Sequence, residues 1–374
     1  MMHDETGFEL VINGRFLSQR MTGVQRVARE FVGALDRRLV EGRYPGLRVR
    51  LVAQRDAVLA GPALRAIAVE RVGGGSGHRW EQLALPGHVG AAALLCLGNS
   101  APVLSLLGRR PVAVMLHDLA YRLFPGDYPL AYRLLHRAID MVLLKRARPL
   151  VTVSAAERSV IGGLHPSAGP RILVAANGGF ANDAPPAARW RPRRGDGAYG
   201  LYVGALSDRK NGAGIVQAAI DLARATGAGF KLAGPAAKAA HAIPEDVRTL
   251  IEFCGYVDDA ALLDLYAGAS FFLFPSFYEA SGLPPVEAMT VGCPVIVSDI
   301  PVMRERCGDA ALYCDPHDRH SILRACRDLI EQPALAERMS ALGRAQAATF
   351  TWEKQVDRVI GAIAAEMRRD RAAG

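Results

Sequence analysis

Six cysteines in 374 residues (Cys96, Cys254, Cys293, Cys307, Cys314 and Cys326) include no C-x-x-C pair. Neither a zinc site nor a disulfide framework is indicated, and a reducing compartment fits best. Only 7% of the residues are aromatic. They form no RNP-like segment, and zinc-finger spacing is missing too, so a formal charge of +8 is not by itself a nucleic-acid signature. No uninterrupted apolar run reaches the roughly 18 residues needed to cross a bilayer. The opening MMHDETGFELVINGRF lacks the basic-then-apolar order of a secretion signal. A cytoplasmic location is expected. The P-loop pattern G-x-x-x-x-G-K-[ST] is missing, and Gly73 to Gly77 read as a flexible loop rather than a phosphate cradle. No D-x-D is placed to hold a cation, and the acid pair Asp258–Asp259 reads as a helix start.

What is present is alternation. Half of the residues are hydrophobic, ample for a core. Apolar runs (ELVIN, RVRLVAQ, ALLCLG, PVAVMLHD, LVTVS, RILVAAN) alternate with helical patterns, and a second series follows (GLYVGAL, GFKLAG, IEFCGY, SFFLFPS, PVIVSD, AALYCDP). That spacing predicts α/β halves with parallel sheets and crossover helices. The stretch 181–200, rich in Pro, Gly, Asp and Arg, reads as the linker. The expected organisation is a domain over 1–185, a second over 186–350, and a final helix, 351–374, crossing back to the first, with a cleft between the halves. Doubly wound sheets bind ligands at the carboxyl ends of their strands, so chemistry is sought there.

Three places qualify. His117 and Asp118 follow PVAVML; a histidine there can bond a ligand, or be satisfied by backbone. Arg209 and Lys210 lie in SDRKN, in the loop entering a helix. They and the helix amides suit a diphosphate, or they are surface charges. YEASGLPPVEAM sets Glu279 and Glu287 eight positions apart. Pro284 and Pro285 suit the first turn of a helix, where a missing N–H costs nothing. Ser281, Gly282 and Leu283 then offer amides to phosphate or hydroxyl oxygens. Two acceptor-only carboxylates can hold two vicinal diols, one on a sugar and one on a ribose. For Glu287 alone, complementing the helix dipole is the simpler reading.

With these residues in view, the chain resembles the GT-B glycosyltransferases of family 4, the retaining group 1 transferases. FYEASGLPPVEAM resembles the family's E-x7-E signature, and GCPVIVSDIPVMRERCGDAALYCDPHD the segment after it. YVGALSDRKN, FCGYVDDAALLDLYAGAS, HDL, VTVSAAERSVI and TGVQRVARE match further landmarks. The resemblance implies two Rossmann-like domains with parallel sheets facing across a cleft. Glu279 and the amides of Ser281, Gly282 and Leu283 would hold the donor sugar, and Glu287 the ribose. Arg209 and Lys210 would neutralise the leaving diphosphate, and His117 would contact the sugar. Gly23, in the first loop, would let backbone approach the donor phosphates or the acceptor. Gly204 belongs to the phosphate loop, and Tyr256 and Val257 would lie beside the base. Many relatives carry an arginine after that glycine; here Gly204 is followed by Ala205, so diphosphate contact rests more on Arg209 and Lys210. Transferases using GDP-mannose occur among relatives with this RKN form.

The implied reaction moves a hexosyl group from a nucleoside diphosphate sugar to an acceptor hydroxyl with retention and no metal cofactor. Fixed positive charge aimed at the leaving oxygens lowers the barrier. The acceptor would be a saccharide or a polyprenyl-diphosphate-linked saccharide, as in bacterial polysaccharide assembly. The segment 130–148 has an apolar side and a basic side, so it either packs on its sheet or lies on the anionic inner face of the plasma membrane. GHRWEQLALP is an expected acceptor-side loop whose Trp80 stacks on a sugar, or anchors packing. Rival readings are a nucleotide-sugar epimerase, a phosphorylase, a non-catalytic nucleotide-sugar-binding scaffold and a nucleic-acid binder. No lysine (Lys145, Lys210, Lys231, Lys238, Lys354) is a convincing pyridoxal-phosphate candidate.

Overall fold

The computed structural model describes residues 7–58, 63–180, 190–192, 195–235 and 243–372. Most of the expected linker, the 185/186 boundary and Lys238 lie outside the described residues. The chain divides into two compact units: residues up to Asn177 together with the segment from Trp352 onward, and Gly178–Thr351.

The first unit is built on parallel strands β1 (Glu9–Asn13), β2 (Arg48–Gln54), β3 (Ala68–Val72), β4 (Ala93–Cys96), β5 (Val112–Met115), β6 (Leu150–Thr152) and β7 (Ile172–Val174). Their order is β3-β2-β1-β4-β5-β6-β7. Strand β3, AVERV, was missed in the sequence. It is an edge strand with only Val72 buried, so it has no apolar run to show. Helix Trp352–Ala372 packs on helix Gly23–Val40. Arg37 pairs with Glu353 at 3.0 Å, and Arg38 and Tyr44 both bond Asp357. Gln355, buried on that helix, donates to the Ala175 carbonyl at 2.9 Å.

The second unit carries β8 (Tyr199–Val203), β9 (Gly229–Ala233), β10 (Ile251–Gly255), β11 (Phe271–Phe274), β12 (Val295–Ser298) and β13 (Ala311–Cys314), all parallel, in the order β10-β9-β8-β11-β12-β13. Central β11, FFLF, is buried along its whole length because helices cover both faces of a parallel sheet. Asp258 caps helix Asp259–Gly268 by accepting from the Ala261 amide.

In each sheet the order reverses beside the first strand, between β1 and β4 and between β8 and β11. Loops leaving those strands diverge, and the crevice outside their carboxyl ends is where such sheets take ligands. Among the described residues no helix is long and apolar enough to cross a membrane.

Candidate functional site

The second unit's switch point brings three of the expected residues together. The loop after β8 carries Arg209 and Lys210; the loop after β11 carries Glu279. Lys210 Nζ lies 3.3 Å and Arg209 Nη1 3.6 Å from Glu279 Oε1. Ser276 donates to the same oxygen at 3.5 Å. Among the described residues nothing bonds Oε2, so one acceptor oxygen of Glu279 is left for a ligand. The loops are stitched by the Phe277 amide on the Arg209 carbonyl at 3.0 Å, and by Arg209 Nη1 donating to the Tyr278 carbonyl at 3.3 Å. Lys210 Nζ sits 5.1 Å from the Phe274 ring centroid, a cation–π contact that fixes its direction. Beneath it, buried Tyr202 donates to the Ala205 carbonyl. Burial, then the Glu279 charge, push that hydroxyl's pKa far up, so it stays protonated.

Two glycines are required here. Gly204 has φ +142°, and an added Cβ would lie 2.9 Å from the Tyr202 hydroxyl. Gly282 has φ +59°, a left-handed conformation that costs an L-residue about 1–2 kcal/mol. Its Cβ would meet Arg306 Cγ at 3.3 Å. Arg306 is fully buried, its guanidinium 3.9 Å from the Phe350 ring centroid, and burial brings its pKa down to about 10. The loop before helix Leu283–Val291 therefore rests on a fixed base.

That helix has proline in its first turn and no side-chain cap, so its opening amides are not taken by a capping side chain. The helix after Lys210 differs from expectation. Asn211, at φ +59°, caps the Gly214 amide at 3.2 Å, and the Gly212 amide bonds the Ser207 carbonyl at 3.0 Å. Its first-turn amides are largely used internally, so anion binding there falls to the Arg209 and Lys210 side chains. Asn211 also donates to the Pro275 and Pro316 carbonyls at 3.1 and 2.9 Å. It ties three loops together, a role that the sequence showed only as the last letter of SDRKN.

Glu287 lies in the second turn of its helix and is 3% exposed. It stands beyond the first turn, which is where an acid complements the helix dipole best. Tyr256 is exposed and Val257 half-buried, just after β10. Ser281 precedes Gly282 in the same loop. Gly23 is the first residue of helix Gly23–Val40, not a loop residue, and an added Cβ would meet nothing within 4 Å.

In the first unit His117 follows β5 as expected. It is buried, and its Nε2 lies 2.9 Å from the Leu97 carbonyl, which can only accept. Nε2 therefore carries the proton, and Nδ1 is the ring's acceptor. Burial lowers its pKa, against the Leu97 bond and the Asp118 charge, so the ring is neutral near pH 7.

Around it lies a buried polar network that sequence reasoning missed. Glu81, fully buried, accepts from Asn13 Nδ2 at 2.7 Å, Arg15 Nε at 3.1 Å and Ser100 Oγ at 2.8 Å. Burial pushes its pKa up, but His78, Arg15 and Ser100 outweigh that and hold it at about 2. Asn99, Asp118, Tyr132, His136 and Asp140 line a water-sized cavity of about 10 Å³. His136 Nε2 and Asp140 Oδ1, both buried, have no hydrogen-bond partner among the described residues. Burial brings the His136 pKa down to about 4 and the Asp140 carboxyl up to about 6.

The acceptor-loop expectation for GHRWEQLALP is corrected. Helices Gly77–Leu83 and Pro86–Val89 occupy it, and Trp80 is fully buried in the core. A ring with no exposed face cannot stack on a sugar; it anchors packing. Gly77 starts a helix rather than ending a flexible loop. Among the described residues no group of three or more His, Cys, Asp or Glu could hold a metal ion.

Residues 188–346, nearly all of the second unit, match the family Glycosyl transferases group 1. The second unit is thus similar to the group 1 glycosyl transferases over 188–346. It is 35% identical over 175 residues to O-antigen chain mannosyltransferase B of Escherichia coli, covering 44% of this chain and 45% of that protein. It is 31% identical over 225 residues to glycogen synthase of Mycobacterium tuberculosis, covering 58% and 54%. The chain thus spans about half the length of these curated relatives. Sucrose-phosphate synthase of Thermosynechococcus elongatus superposes with a TM-score of 0.74 at 17% identity, over 98% of this chain and 100% of that one. WaaG, a glycosyltransferase involved in lipopolysaccharide biosynthesis, gives 0.66 at 17%, over 95% and 98%. The fold of the chain is GT-B.

Proposed function

We propose that the protein is a retaining hexosyltransferase of polysaccharide assembly, moving mannosyl from GDP-mannose to a saccharide or lipid-linked saccharide. The observation that carries this is Glu279 set on Arg209 and Lys210 beside an uncapped helix start. Two cations offset the charge that develops on a departing diphosphate, so the load a metal would take falls to them. Glu279 Oε2 and the amides of Gly282 and Leu283 receive the sugar, and Glu287 the ribose. Tyr256 and Val257 border the base, and Gly204 lets backbone approach the phosphates. His117 acts on the sugar through its acceptor nitrogen, and the leaving phosphate takes the acceptor hydroxyl's proton. Mannosyl is chosen because mannosyltransferases of O-antigen synthesis recur among the relatives. The segment 130–148 supplies a membrane contact for a lipid-linked acceptor.

The test is thermal stabilisation by GDP-mannose, UDP-glucose, UDP-N-acetylglucosamine, dTDP-rhamnose and the free diphosphates. Ligand at about 100 times its Kd adds roughly 2.7 kcal/mol, an easily read shift. Stabilisation by the guanine nucleotides, abolished by Glu287→Ala, supports the reading. Stabilisation by another base moves the donor, turnover of the sugar without acceptor moves the reading to an epimerase, and no binding at all defeats it.

A further inference from the structure

A further cluster of cations lies away from the residues described above. Arg109, Arg110, Lys145, Arg146, Arg148 and Arg371 line a groove of about 750 Å³ in the first unit, with Asp370 the one acid in its lining. Asp370 is 3.5 Å from Arg110, and Arg148 donates to the Arg109 carbonyl at 2.9 Å. Arg110 stands just before β5 and Arg148 just before β6, so the groove lies at the amino end of the sheet. His117 leaves β5 at the opposite end.

Beside the groove the surface is apolar. Helix Val103–Leu107 packs against helix Leu130–Arg146. Of the eight described large apolar side chains that are more than half exposed, five are on these two helices: Leu104, Leu107, Leu130, Leu134 and Met141. At about 100° per residue, Leu130, Leu134 and Met141 fall within about 40° of one another, and Arg133, Arg137 and Lys145 lie within about 60° of Leu130. Exposed leucines interleaved with cations fit an interfacial helix better than a core-facing one.

We infer that this composite surface docks the protein on an anionic phospholipid leaflet. The leucines and Met141 enter the headgroup–acyl boundary, and the groove takes lipid phosphates. A polyanion in water would use the cations and leave the leucines wet; a leaflet uses both. The inference widens the contact proposed above from one helix to a surface of two helices, two strand approaches and the last turn of helix Trp352–Ala372. It uses the first unit alone, so it fails separately from the transferase reading, which the nucleotide panel tests.

The experiment is co-sedimentation of the full chain with phosphatidylcholine vesicles, with and without phosphatidylglycerol. Wild type should bind only when phosphatidylglycerol is present. Each surface cation is worth about fivefold in partition, so Arg109→Glu with Arg146→Glu should lower binding at least about 25-fold. Leu104→Ser with Leu107→Ser should lower it at least about tenfold while leaving its salt dependence intact. Unchanged circular dichroism and melting would show that the variants fold. Equal binding to both vesicle types, or charge variants that bind like wild type, overturns the inference. So does equal uptake of duplex DNA with the leucine variant indifferent, which makes the face a polyanion site. A wild-type dimer that the leucine variant dissociates makes it an interface between copies of this chain, and overturns the inference too.

Discussion

Glu279→Gln separates two things that one carboxylate does. Its charge lies 3.3 Å from Lys210 Nζ and 3.6 Å from Arg209 Nη1. A diphosphate held by those cations would sit about 6 Å from the carboxylate. Coulomb repulsion per unit charge is then about 0.7 kcal/mol at water's dielectric and about 2.8 at an effective value of 20. Removing it should tighten a free nucleoside diphosphate by about 3- to 100-fold. A nucleotide sugar gains the same relief but loses a charged hydrogen bond, worth about 1.5–3 kcal/mol. Repulsion cancels in the ratio of the two affinities, so the preference for nucleotide sugar over free diphosphate should fall about 10- to 150-fold. Titration calorimetry with each ligand pair reads both numbers, and added salt should shrink the first effect and spare the second. An unchanged ratio would refute the sugar-holding role. Weaker diphosphate binding would refute the repulsion argument and make Glu279 the group that positions the two cations.

Asp140→Asn should stabilise the protein above about pH 6. The folded carboxyl titrates near 6 instead of 3.8, chiefly through burial, so wild type loses stability as pH rises across that interval. About two units correspond to about 3 kcal/mol. Urea unfolding should show the variant ahead at pH 8 and level with wild type below pH 4; a lead that is independent of pH would point to packing instead. Trp80→Ala should cost about 3–5 kcal/mol, as expected for emptying a fully buried site. A loss under 1 kcal/mol in the same assay would mean that the core closes around it. Gly282→Ala should cost about 1–2 kcal/mol for its left-handed backbone. Gly282→Asn should cost less, because asparagine tolerates that conformation, and equal costs would place the penalty in the contact with Arg306.

The second unit was legible because its strands are short, continuous and apolar, and because function gathers where such strands end. Position put Arg209, Lys210 and Glu279 forward as candidates, the family resemblance gave them roles, and the fold brings them into contact. The first unit was harder to read. Arg15 and Glu81 look like ordinary surface charges in the sequence. Their partners are far apart along the chain, and only the sheet makes Asn13, Arg15, Glu81 and Ser100 neighbours. Glycines flanking GHRWEQL hid a helix, because a positive-φ Gly77 begins it and glycine more often marks a turn.

The positive net charge is open to nucleic acid, an anionic membrane surface or a phosphorylated small molecule as its partner. In the second unit's site two cations face one carboxylate, a surplus of a single charge. The groove before β5 and β6 sets six cations against one acid. A diphosphate needs few charges, closely directed, with a carboxylate beside them to receive the sugar. Six exposed cations beside exposed leucines are undirected, and long side chains in water gain little from one small anion. They gain from an extended surface of negative charge, where each adds its share. The groove thus nets five positive charges toward the overall +8. A count over the whole chain could not separate it from the two cations beside Glu279.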